Sequence, residues 1–172
     1  MEYRVVAKEL QPILSNIEAK HENDAYRTVL VACQHMLINQ RQVILDNRVR
    51  THIDELTKTG DLKSITRAGC HFMQLLTMRE SELFYDFFSS KLAKNVERLS
   101  EYTMGLCGIF YEAIRPRIIN ELSVSMLCDV IEIMHRRTAE MSLSMCFVVI
   151  GRLFVIEKIK IPLSFSTYRI GY

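Results

Sequence analysis

Apolar residues recur along this chain at spacings of three and four. From Glu2 to about Ala19 they fall at Val6, Leu10, Ile13, Leu14 and Ile17, which is one face of an α-helix. Pro12 lies inside the run; lacking an N–H and crowding the preceding turn, it marks either a kink or the true first turn. A second run begins after Asn23, a residue type that caps helix N-termini. Tyr26, Val29, Leu30, Cys33, Leu37, Gln40, Ile44, Val49, Ile53 and Leu56 carry it to the next break, with no Gly or Pro between Glu22 and Thr59. The spacing predicts one very long helix, unusual in a compact domain and ordinary in a rod-like bundle.

Gly60-Asp61 makes the first clear turn, with Asp61 placed to cap the next helix. A third helix is expected from Leu62 through Gly69, Met73 and Leu76 to Phe87 and Phe88. A fourth runs from about Lys91 to Arg115, where Pro116 ends or kinks it, because the residue before a proline avoids the α region. A fifth begins near Ser123, with Leu127, Val130, Ile131 and Met134 inward, and fades after His135. The expected fold is all-α: an elongated bundle of four to five long antiparallel helices, residues 1–145, joined by short links. Residues 146–172 differ. Ile159, Ile161, Leu163 and Phe165 alternate with Lys160, Pro162 and Ser164, a strand pattern broken by proline, so a divergent tail is expected that is poorly ordered or weakly β-like. No fixed-period repeat suggests a solenoid.

Charge barely changes this picture. The balance of 22 Lys+Arg against 20 Asp+Glu gives no global field for a nucleic acid or an anionic membrane surface. With 6 Gly and 3 Pro, tight hairpins are scarce and a sandwich or barrel is disfavoured over the first 145 residues. The five cysteines are odd in number, widely spaced and set among apolar neighbours, which suits a reducing compartment. The charged first thirty residues hold no secretory signal. The longest apolar stretch near the C-terminus, Met141 to Gly151, is stopped by Arg152, so no transmembrane segment is expected.

The search for chemistry returns little. Cys33 with His35 and Cys70 with His71 lack the spacing at which helical side chains converge on a metal. Adjacent helical residues point about 100° apart, so His71 is poorly placed to activate Cys70 as a nucleophile. TKTGDLKS, residues 57–64, lacks the second glycine and the GK[ST] of a phosphate loop. Glu80, Glu82 and Asp86 read as the solvated side of an amphipathic helix. No catalytic residue, metal ligand or cofactor site is assigned, and an enzyme is not expected. Two clusters remain. Phe84, Tyr85, Phe87 and Phe88 crowd four aromatics into five residues, a core wedge unless part of it is exposed to anchor a partner. Arg115-Pro116-Arg117 reads as a helix corner whose cations favour the helix dipole, or as the polar rim of such a partner site.

Three motifs stand in register. Arg67, Ala68, Gly69, Cys70, Phe72 and Met73 come first, then the acidic-aromatic Leu83-Phe84-Tyr85-Asp86-Phe87-Phe88. Tyr111, Glu112, Arg115, Pro116, Ile118 and Ile119 follow, with Gln40-Arg41 upstream of all three. Over about residues 3–134 the chain resembles the Sec34-like family, the N-terminal domain of subunit 3 of the conserved oligomeric Golgi complex. That resemblance implies a non-enzymatic subunit of a vesicle-tethering complex in intra-Golgi retrograde transport, protein transport and maintenance of Golgi glycosylation. It implies other complex subunits as partners, and SNAREs, Rab GTPases and coat proteins through the complex. It implies a place in the cytosol and, as a peripheral component, on the cytoplasmic face of the Golgi. The family's coiled-coil arm before Tyr3 and its helices after His135 have no counterpart here. From about Cys146 the similarity stops, so the tail reads as that of a truncated isoform or a misjoined exon. The rival reading of the same residues is a free-standing helical adaptor unrelated to Golgi tethering.

Overall fold

The structure is a computed structural model that describes residues 2–58 and 60–140. These form five α-helices: α1 (Glu2–Ala19), α2 (Asp24–Lys58), α3 (Leu62–Phe87), α4 (Ala93–Asn120) and α5 (Val124–Glu140). No strand occurs among the described residues, in line with the all-α expectation. The expected tail, residues 146–172, lies outside them.

Local chemistry sets the helix ends. The Asn23 side-chain oxygen accepts the Ala25 N–H at 2.9 Å, and Asp61 Oδ1 accepts the Ser64 N–H at 2.7 Å. Each takes up an N–H that the first helical turn leaves unpaired. The hydrogen bonds with Ser64 hold the Asp61 carboxyl below the usual carboxylate range. Gly60 turns the chain between α2 and α3 at φ 135°, a conformation that side chains disfavour. Both prolines are tolerated inside helices. α1 continues through Pro12, held by Ala7 and Leu14, which are buried on either side of it. α4 runs past its expected end at Arg115 because Pro116 removes one hydrogen bond only, while Ile118, 5% exposed, anchors the last turn in the core. α5 likewise extends beyond His135, to Glu140.

α3 is the central element and packs against all four other helices; α2 also packs against α1 and α4. The close approach of α3 and α4 depends on Gly69. A Cβ there would lie 2.1 Å from Cε2 of Phe110, so the ring occupies the space a side chain would need. Phe110, Ile114, Cys70 and Met73 are fully buried around it. Of the motifs that carry the family resemblance, Gly69, Cys70, Met73, Phe84, Phe87, Phe88 and Ile118 are packing positions, whereas Arg67, Ala68 and Ile119 are exposed.

Polar side chains also join the helices. Arg41 on α2 donates twice to Glu80 on α3, through Nε at 2.9 Å and Nη2 at 2.6 Å, and Tyr102 on α4 donates to Glu80 Oε2 at 2.9 Å. The Arg41 guanidinium also lies 5.1 Å from the centre of the Tyr3 ring on α1. Three helices thus meet at one carboxylate, and α1 joins them through Arg41. Glu80 is 5% exposed, which corrects its reading as a solvated helix face: a buried carboxylate is retained because a bidentate arginine and a phenol satisfy it. The bond to Glu80 strengthens the hold of Arg41 on its proton, and burial pushes the Tyr102 hydroxyl above its ordinary range. A second network joins α1, α2 and α4 just beyond the end of α3. Asn95 accepts from Gln34 at 2.6 Å and donates to Glu18 at 2.6 Å and to the Ser89 carbonyl at 2.8 Å.

Candidate functional site

The first apolar stripe faces outward. On α1 the buried side chains are Ala7 and Leu14, whereas Val6, Leu10 and Ile13 are 44%, 40% and 58% exposed. On α2 the inward row passes through Leu30, Gln34, Leu37, Leu45, Val49 and Ile53. A separate row of Val29, Cys33, Met36, Gln40 and Val43 lies beside it, with Met36 62% and Val43 79% exposed. α2 thus has apolar residues on two faces, and the single wide stripe read from its sequence divides between core and surface.

The outward rows belong together. Tyr3, Val6, Leu10, Ile13 and Ile17 on α1 alternate spacings of three and four, and the α2 row does the same, which is the register of a coiled-coil seam. The two antiparallel helices flank a groove of about 520 Å³ whose floor includes Leu14, Leu37, Phe87 and Phe88. Its lining is apolar apart from Gln40 and the Tyr3 hydroxyl. Apart from the Tyr3 hydroxyl and the Cys33 thiol, such a surface offers no ionisable side chain. It suits the apolar ridge of an α-helix, which would bury roughly 25 cal/mol of favourable free energy per Å² covered.

The residues singled out from the sequence distribute unevenly. Phe84, Phe87 and Phe88 are 2%, 7% and 2% exposed and stack on one another, with 4.9 Å between the centres of Phe84 and Phe88. They are core side chains, because three aromatics in one turn wedge α3 between its neighbours. Phe87 and Phe88 reach the groove from below, while Phe84 packs beside Arg41 and Glu80. Arg115 and Arg117 stand at the opposite end of α3. Arg117 donates to the Gly60 carbonyl at 3.3 Å and to the Thr57 carbonyl, closing the α2–α3 turn. Arg115 lies 3.5 Å from Glu112, one turn earlier. Neither arginine rims the groove. Cys70 is fully buried and His71 exposed, so the thiol is closed to a substrate. Among the described residues no three metal-ligating side chains cluster, and no helix is long and apolar enough to cross a membrane.

The periodicity alone does not mark Val6, Leu10, Ile13 and Met36 as exposed residues of one groove. The available signal was the simultaneous three-four spacing on two adjacent helices, one of which already has a separate inward row.

Comparison with known proteins adds the rest. A family model described as conserved oligomeric Golgi complex subunit 3, C-terminal, matches residues 1–146. The resemblance had pointed to the N-terminal domain of the same subunit. Curated relatives named conserved oligomeric Golgi complex subunit 3 include one from Drosophila melanogaster, 28% identical over 77% of this chain and 15% of the relative. One from Homo sapiens is 25% identical over 81% of this chain and 17% of the relative. One from Saccharomyces cerevisiae is 27% identical over 62% and 14%. The chain thus spans about a sixth of the length of the curated relatives it matches. No solved structure matches.

Proposed function

The chain belongs to the conserved oligomeric Golgi complex subunit 3 family, and on that ground we propose that it is a non-enzymatic helical module of a Golgi vesicle-tethering complex. The match over residues 1–146 carries this reading, since it takes in every described helix. Its process is intra-Golgi retrograde transport, which keeps glycosylation enzymes in their compartments. Its place is the cytosol and the cytoplasmic face of the Golgi, reached as a peripheral component. Its direct partners are other subunits of the complex, and through them SNAREs, Rab GTPases and coat proteins.

The α1–α2 groove is the face we assign to a partner helix, with Phe87 and Phe88 as its floor and Leu10, Ile13 and Met36 as its exposed contacts. An assembly subunit needs an apolar surface that its own core leaves open, and this groove is one. Arg115 and Arg117, tied to their own bundle, serve the corner between α4 and the α2–α3 turn rather than the partner. The test is capture from cytosol with the tagged full chain, followed by identification of bound proteins. Recovery of other Golgi complex subunits is expected. Recovery of none by a folded, helical chain would contradict the reading and favour a free-standing adaptor.

A further inference from the structure

We propose that α1 is a strap that lifts from the bundle as one unit, and that Glu18 couples its release to the α3–α4 connection, residues 88–92.

The strap is thinly anchored. α2, α3 and α4 bury seven, ten and nine residues. Among the described side chains of α1, Ala7 and Leu14 alone are buried, with Tyr3 and Ile17 partly covered against the core. Few buried apolar contacts mark the segments of a fold that open before the rest does. The N-terminal half is tied by Arg4, which reaches Glu82 at 3.4 Å and Asp86 at 3.3 Å from a side chain 65% exposed. Ion pairs so open to water add little. Pro12 leaves the Lys8 carbonyl without its helical N–H. The joint to α2, residues 20–23, faces solvent apart from half-buried His21, so α1 can move about it without uncovering core there.

The latch is at the C-terminal end of α1. Glu18 Oε1 accepts the Ser89 N–H at 2.9 Å and an N–H of the Asn95 amide at 2.6 Å. Asn95 is fully buried, and its oxygen accepts from Gln34 at 2.6 Å. Leu92, at the N-cap of α4, makes no side-chain capping bond, so the start of α4 is held from outside, by a carboxylate on α1 acting through Asn95. When α1 leaves, the Ser89 N–H loses its acceptor and the Asn95 amide loses a charged one, and the connection loosens with the strap. α1 is also one wall of the groove, so a helix bound across Val6, Leu10 and Ile13 selects the closed form and holds residues 88–92 with it. That corollary rests on the partner reading above; the opening itself does not.

Amide hydrogen exchange of the full chain, read by mass spectrometry with no partner present, tests the proposal and can fail while subunit recovery stands. Residues 5–19 and 89–95 should exchange together and ahead of α3 around Gly69. Glu18→Ala should speed both segments at least about tenfold, the effect of losing hydrogen bonds to a charged group, and leave the Gly69 region at its parent rate. Ala7→Asp puts a charge at a site 1% exposed, about 16 Å along α1 from Glu18. It should strip protection from residues 5–19 and 89–95 alike in a chain that stays helical. Three results would overturn the proposal: residues 5–19 exchanging only with the core, residues 89–95 keeping the parent rate in Ala7→Asp while 5–19 open, or Ala7→Asp unfolding the whole chain.

Discussion

The two halves of α3 use one kind of sequence pattern for different ends. Along its first part, around Gly69, apolar residues meet α4 and α5 and vanish from the surface. At its far end, beyond Glu80, α1 and α2 flank Phe87 and Phe88 with equally regular rows that stay open. The contrast teaches that a three-four stripe reports the existence of a packing partner and not its location. Where the partner is in the bundle, the stripe becomes core; where none is, the stripe stays open, as on the face proposed above for a partner helix.

The sharpest way to break this contrast is to attack the closed half. Glu80→Ala leaves Arg41, 16% exposed at its side chain, without its counter-ion, and should cost about 3–5 kcal/mol in denaturant unfolding. Replacing both partners, Arg41→Met with Glu80→Leu, should recover most of that loss. Tyr102→Phe removes one hydrogen bond to a buried charge and should cost about 1.5–3 kcal/mol at neutral pH. Because burial raises the Tyr102 hydroxyl above its unfolded value of about 10, its contribution is complete below that pH. It is withdrawn as pH rises further, since the unfolded chain ionises first. Alkaline unfolding should therefore be steeper in the parent than in Tyr102→Phe. Gly69→Ala should cost about 1–3 kcal/mol by overpacking against Phe110, and Phe110→Leu in the same chain should offset part of it. At the small end, Leu10→Ser or Met36→Ser in the open half should shift stability by only about 0.5 kcal/mol, yet weaken capture of partner subunits.

Much of the fold was legible in the sequence. Gly60-Asp61 and Asn23 are turn and cap chemistry, and the apolar runs at three-four spacing between the breaks give four to five helices in their chain order. The end of α4 was not, because Pro116 breaks a local rule that the burial of Ile118 overrides. The role of Glu80 was hidden for a similar reason: local pattern gives a carboxylate on a helix no clue that Arg41, 39 residues earlier, and Tyr102, 22 residues later, converge on it. Of the groove, Phe87 and Phe88 were noticed as a cluster but not as a floor. The stripe on α1 is regular in the sequence, but periodicity carries no sign that distinguishes a buried face from an open one. Arg115 and Arg117 drew attention by charge, and geometry gives Arg117 a local duty at the Thr57 and Gly60 carbonyls.

The most direct test of the account measures stability and partner recovery side by side on Leu10→Ser/Ile13→Ser in the full chain. The account predicts a helical protein whose unfolding midpoint moves little while other Golgi complex subunits are no longer captured. Undiminished capture by that variant, or its outright unfolding, would show that α1 serves the core and not the partner.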